Sequence, residues 1–362
     1  MILAAVGALC CALPARAEEQ AILNALPLDE LGAYAAAQGV DFGSWIMSAL
    51  SGEMDLSRLL SELYEAFSQA FLRDIRCIGG MVTPMLVLLM LRLILPGKET
   101  SRRTAAYFCR VSCFSALATA FVSMCGVAHT LMQDTLECFQ CLTPVMIAAT
   151  ALSGAEGTAT ILSPAAALCA NAIQLLLDQW GIALSCAAAG IAFAGNLSAN
   201  IRLKRLHGLF RQILHWGAGG IMTAFMALLS VQGRLGAGRD SVAARTAHFA
   251  IESIVPVIGG NVSDSLDSLL STAYLVKNAV GAAGLFLIVF VSLSPMIRLL
   301  GSSMILRAVS ALSEPLGDEP VTTACAQFAD AVEMLLIIAV AGVVLCGLLV
   351  GSCMSAANNI VH

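Results

Sequence analysis

Charge is what this sequence has least of. Asp, Glu, Lys and Arg make up 12% of its 362 residues, against 59% hydrophobic, and a soluble domain carries about twice that charge. With a mean hydropathy of +0.85, an ordinary soluble fold is excluded. Short alternating segments are also missing, which excludes a transmembrane β-barrel. No Lys/Arg-rich run with interleaved aromatics occurs, which argues against nucleic acid as a partner. The net charge of −5 is too small to point to any other. Walker A, HExxH and GxSxG sequences are absent. "GAGG" at 217–220 lies inside an apolar span, where helix packing accounts for it. No acid pair or Ser/His arrangement at one membrane depth offers intramembrane proteolysis. The sequence therefore predicts no enzyme, no cofactor and no metal.

Cysteine is the exception to this scarcity, with thirteen, but an odd total does not make a complete disulfide framework. Cys109, Cys113, Cys125, Cys169, Cys186 and Cys346 sit singly in apolar stretches, where they behave as small hydrophobes. "CFQC" at 138–141 is the one Cys-x-x-Cys pair and lacks the second pair a zinc site needs.

What is present is a series of apolar stretches near or above the roughly 18 residues that cross a hydrocarbon core. The fold class is all-α: a polytopic helical membrane protein with an N-terminal signal peptide, broken or re-entrant amphipathic helices and a tandem internal repeat. Residues 1–17 read as the signal peptide, an apolar run closed by Pro14 and a small-x-small site at 15–17, without the usual basic residue before the run. Residues 18–77 are an acidic extracytoplasmic helical region, ten acids against three basic residues. Residues 78–128 form a membrane hairpin. Lys98, Arg102 and Arg103 place its loop in the cytoplasm, and Arg92 and Arg110 act as anchors. Two repeat units follow, 129–234 and 235–362.

In the first unit the stretch 129–178, interrupted by Pro144, "SGAEG" and Pro164, reads as amphipathic or re-entrant. Residues 180–199 cross inward, and 204–216 is an amphipathic helix suited to the lipid headgroup layer. Lys204, Arg211 and His215 form its polar face and Leu206, Leu209, Phe210 and Ile213 its apolar one, with His207 interfacial. Residues 217–233 cross outward. In the second unit 234–271 lies outside, 272–295 crosses inward, and Arg298 and Arg307 sit on a second cytoplasmic amphipathic helix. "EPLGDEP" at 314–320 is a break, and 332–353 crosses outward. "LTPVMIAATALSGAEGTATIL" (142–162) and "IVPVIGGNVSDSLDSLLSTAYL" (254–275) carry the repeat. Two spans per unit would leave the units in one orientation.

The candidate pore or packing residues follow. Pro256 can open a re-entrant or interfacial helix, Gly259 and Gly260 permit a bend or close approach, and Asp264 and Asp267 face water or a partner. Lys277 and Asn278 stand one turn before Gly281. Lys277 is either a snorkelling lysine above a small-residue packing face or a pore or substrate contact paired with Asp264 or Asp267. Glu156, Asp178 and Glu333 are the remaining carboxylates set in or beside spans.

The ordered series "VPVIGG…SD…LLSTAYLVKNAVG…P…IRLL…EPLGD" resembles the stage III sporulation protein AE family of endospore-forming bacteria, over about residue 75 to the C-terminus. The resemblance implies a multi-pass protein of the mother-cell membrane facing the forespore, in a channel or secretion-like complex needed for forespore development. It implies partners among other proteins of the same sporulation operon and a forespore membrane protein; the residues themselves add membrane lipid and allow a homo-oligomer. The residues leave open a conduit base, a scaffold, or a gradient-driven small-molecule permease unrelated to sporulation.

Overall fold

The computed structural model describes residues 22–51, 99–175, 180–197, 204–254, 259–314 and 319–355, with single helical positions at 61, 64, 68, 83, 87 and 90. Among the described residues there is no strand. The main helices are α1 (Asp29–Ala37), α2 (Phe42–Ser51), α3 (Glu99–Leu152), α4 (Glu156–Gln174), α5 (Ile182–Leu197), α6 (Lys204–Ile254), α7 (Gly259–Ser313) and α8 (Glu319–Ser355). Among the described residues, four stretches are long and apolar enough to cross a membrane: Tyr107–Leu152, Arg205–Val231, Leu270–Ser313 and Glu319–Ser355. The signal peptide and the span at 78–95 lie outside the described residues, apart from the single positions 83, 87 and 90.

The helices are longer than the sequence reading divided them. At about 1.5 Å per residue, α3, α6 and α7 each run roughly 75–85 Å, more than twice the ~30 Å of a hydrocarbon core. The amphipathic stretch 204–216 and the span 217–233 are one helix, α6. Residues 259–270, expected as a separate re-entrant element, are the first turns of α7 and continue through the span to Ser313. Between Gly260 and Ser294 nothing interrupts the backbone ladder, because Ser and Asp alternate there with leucines at helical spacing. Pro144, Pro164 and Pro295 likewise sit inside helices. A proline removes one backbone hydrogen bond, but in membrane helices neighbouring groups re-satisfy what it frees.

Of the three interruptions read in 129–178, the one at "SGAEG" ends a helix, and the gap between α3 and α4 there is three residues wide. Gly154 takes φ +82°, its N–H bonds Ala151 O at 3.1 Å, and the Ala155 N–H bonds Thr150 O at 3.3 Å. This Schellman pair closes α3. Gly39 ends α1 the same way, at φ +78°. Serine and threonine hydroxyls inside the long helices turn back on carbonyls four residues earlier, as Thr135 does on Leu131 O at 2.7 Å and Ser292 on Ile288 O at 2.6 Å. No hydroxyl of that kind needs water.

Side-chain pairs fix the register. Gly281 of α7 lies against Met354 of α8, Ser303 reaches Ala329 and Ser310 reaches Thr322. The two helices are therefore antiparallel. Met146, Leu142 and Met124 of α3 meet Gly281, Gly284 and Ser302 in turn, so α3 also runs against α7. Ile173 of α4 approaches Gly342, and Asn196 of α5 bonds Gln327. Thus α4 and α5 together make one return pass along α8. α6 comes back beside them, with Gly217 against Trp180 and His207 against Ala188. α8 is the central helix, touching α3, α4, α5, α6 and α7. Of its most apolar 18-residue stretch 56% is buried, against 17% for that of α6.

α1 and α2 lie on the flank of this bundle. Leu31, Ala35, Phe42 and Ile46 are buried, Tyr34 donates to Asp134 O at 2.9 Å, and Trp45 meets the rings of Phe286 and Phe290 edge-on. Burial, then the Cys138 thiol and the Asp134 carboxylate, push the Tyr34 phenol well above its ordinary range. It therefore stays a donor. The acidic N-terminal region is seated, in its described part, against the side of the apolar stretch of α7.

Candidate functional site

Two polar clusters stand at opposite ends of the α7–α8 pair. The first is built from spacing. On α8, Gln327, Asp330 and Glu333 follow one another at one-turn intervals. His207 and Arg211 are one turn apart on α6, and Arg307 faces them from α7. Arg211 Nη1 lies 3.2 Å from Asp330 Oδ1 and its Nη2 lies 3.1 Å from Glu333 Oε2. Arg307 Nη2 meets the same two oxygens at 3.1 and 2.5 Å. Two guanidinium groups and two carboxylates thus close a neutral network that ties three helices together.

His207 is buried below it, 4% exposed. Its Nδ1 is 3.2 Å from Ala188 O, and a carbonyl only accepts, so Nδ1 carries the proton. Nε2 lies 3.8 Å from Asp330 Oδ2, beyond hydrogen-bond distance, and has no hydrogen-bond partner. One turn along α8, Asn196 Nδ2 donates to Gln327 Oε1 at 2.7 Å and to Ala192 O at 2.7 Å.

The second cluster surrounds Lys277, whose side chain is wholly buried (0% exposed). Its Nζ sits 4.7 Å from the Tyr274 ring centroid, within cation–π range. The Asn278 Oδ1 beside it is buried without a hydrogen-bond partner. Gly281 lets α8 come close, since a Cβ there would stand 2.5 Å from Met354 Cγ. From Asp330 to Cys353, the α8 residue beside Lys277, α8 rises roughly 35 Å. Two charged layers are therefore separated by about one membrane core, with apolar stretches of α7 and α8 between them.

The structure gathers Lys277, Asn278 and Gly281 at one end and sets Glu333 in the other cluster. Gly259, Gly260 and Asp264 belong to the first turns of α7. Because that helix is continuous, Asp264 and Asp267 lie roughly 20 and 15 Å along it from Lys277. That distance rules out the predicted pairing within one chain. Glu156 opens α4. Pro256, Asp178 and the Glu156 side chain lie outside the described residues.

Arg211 is a second correction. The inward face of α6 carries His207 and Arg211 together with Leu214, Ala218 and Phe225. Leu206, Leu209, Ile213 and Trp216, the last 75% exposed, point away from the bundle. The predicted polar and apolar faces of α6 are thus not the ones the bundle separates. Phe210 packs inward and His215 is exposed, Arg211 meets carboxylates rather than headgroups, and His207 is buried rather than interfacial. Asp330 and the convergence of both arginines were missed. The signal was available: two carboxylates three residues apart at the start of the most apolar span require cations.

Comparison with known proteins then gives the following. The family model described as stage III sporulation protein AE matches residues 40–357. The stage III sporulation protein AE of Bacillus subtilis (strain 168) is 27% identical over 202 residues, which are 54% of this chain and 51% of that protein. The aligned region spans about half the length of that curated relative. No solved structure matches.

Proposed function

The chain belongs to the stage III sporulation protein AE family, and on that premise we propose that it is a multi-pass component of the mother-cell membrane facing the forespore. There it forms part of the membrane base of a channel or secretion-like complex needed for forespore development. Its role is that of a wall and scaffold without catalysis, assembled with proteins of the same operon and a forespore membrane partner. The leader 1–17 is removed, and the units 129–234 and 235–362 descend from one repeat.

One observation carries the scaffold reading. The seam between α3, α7 and α8 is filled: Gly281, Gly284 and Gly342 are each covered by a side chain (Met354, Leu142 and Met132), close enough that a Cβ would stand 2.5–2.6 Å away. A solute path is better sought between chains than through this seam. Full burial of Lys277 inside the bundle favours a second reading, a gradient-driven permease.

The test follows late transcription in the engulfed forespore with a fluorescent reporter after deletion of the gene. Signal should collapse after normal engulfment and return with the intact gene. Lys277→Met and Glu333→Gln should lower the reporter only as far as they lower protein level in the membrane. Loss of signal at undiminished protein level would favour a conduit through the chain over a scaffold. An undimmed reporter in the deletion, with no second copy of the gene present, would remove the sporulation role.

A further inference from the structure

α3 has two unlike faces over 123–145. Met124, Ala128, Leu131, Thr135, Cys138, Leu142 and Val145 are buried in the bundle. Ser123, Gly126, Thr130, Gln133, Glu137 and Gln140 are exposed, alternating three and four residues apart. That is the spacing of a heptad seam. The stripe lies at membrane depth, because Met124 is level with Ser302 of α7 and Leu142 is level with Gly284. Between those two levels α7 reads "LFLIVFVSLSPMIRLLG".

The outward faces elsewhere in the bundle carry large apolar side chains, such as Leu209, Ile213 and Met226 on α6, Val289 and Leu300 on α7, and Val340 and Val344 on α8. Those faces suit lipid. A stripe of two primary amides, a carboxylate and two hydroxyls does not, because polar side chains at that depth face a bundle interior or water. α1 extends the polar wall, placing the exposed Glu30 near Cys141, beside the stripe.

Resting on the membrane-base reading above, we infer that the stripe Ser123–Gln140 of α3 is where copies of this chain meet. They gather about an axis along the membrane normal, with Thr130, Gln133, Glu137 and Gln140 forming successive polar layers. Copies in one membrane share an orientation, so a closed assembly has its axis along the normal and brings like residues to like levels. Gln133 and Gln140 bracket Glu137 by about one turn on either side. Each amide both donates and accepts, so a neighbour's Gln can satisfy a copy's Gln or Glu. Ser123 and Gly126 keep one end of the seam small enough for close approach, and nothing lies within 4 Å of a Cβ at Gly126.

The test places a benzophenone amino acid at Gln133 or at Gln140 in the full chain. Two differently tagged copies are expressed together in membranes of a non-sporulating host. Irradiation should give a species of twice the chain mass carrying both tags from either position, and at least tenfold less from Leu209 on the outer face of α6. Adducts to lipid alone, adducts to a host protein alone, or no doubly tagged species from either position would overturn the inference. The host contains none of the sporulation partners, so such a failure leaves the sporulation role standing. Conversely, a forespore reporter that never dims would leave a positive cross-link intact.

Discussion

At the level of single residues, the network of Arg211, Arg307, Asp330 and Glu333 is notable for sharing. Arg307 is half exposed, and a lone ion pair of that exposure contributes little, ~0–1 kcal/mol. Asp330 is different: its side chain is 21% exposed, and it takes both guanidinium groups while standing over His207. Removing it leaves two cations facing each other, with Glu333 alone between them. Asp330→Ala should therefore lower the thermal stability of the detergent-solubilised protein more than Arg307→Ala. The double substitution should recover about 1–2 kcal/mol relative to the sum of the two. A melting series on the four proteins measures this, and strict additivity would show that the contacts hold nothing together.

Helices in lipid gain little from hydrophobic association and depend on close fit, so at the level of elements the glycines matter by position. A Cβ at Gly284 would stand 2.6 Å from both terminal carbons of Leu142, a residue with no exposure of its own. Gly284→Ala should cost about 1–3 kcal/mol by overpacking. Gly219 on α6 meets nothing within 4 Å, and alanine there should be neutral or stabilising by up to ~1 kcal/mol through helix propensity. Equal effects of the two substitutions on melting temperature would refute this account of the α3–α7 contact. Helix existence was legible in the sequence, since runs such as 332–353 admit no other reading. Helix length was not. Of the three interruptions read in 129–178, "SGAEG" is a true stop, at Gly154. Pro144 and Pro164 sit inside helices, because in a bundle the surroundings satisfy what a proline frees. The inward placement of His207 and Arg211 on α6 was hidden for a related reason, because hydrophobic periodicity does not report which carboxylates of a neighbouring helix a basic residue will meet.

At the level of the whole molecule, the register makes a statement about sides. The α3–α4 turn at 153–155 and the C-terminal end of α8 lie at the Lys277 end, because Met146, Gly281 and Met354 meet there. The α7–α8 junction after Ser313 lies at the other end, past Arg307 and the Ser310–Thr322 contact. Basic residues are more numerous toward that other end, with Arg102 and Arg103 in the first turns of α3, Arg110 shortly after, Lys204, Arg205 and Arg211 at the start of α6, and Arg298 and Arg307 on the second half of α7. Against them stand Lys277 and the Arg234, Arg239 and Arg245 positions of the second half of α6. Short connections rich in Lys and Arg stay in the cytoplasm. An epitope inserted at Gly154 should therefore be reached by antibody on intact protoplasts. One inserted between α7 and α8 should be reached only after the membrane is opened. The sequence reading placed the loop at Lys98 to Arg103 in the cytoplasm from charge alone, and side-chain register, an independent quantity, puts the α7–α8 junction at the same end. If both epitopes were reached from outside, or both only after permeabilisation, the antiparallel passes of α4–α5, α6 and α7 could not all cross the bilayer. The charged network and Lys277 would then no longer mark its two faces.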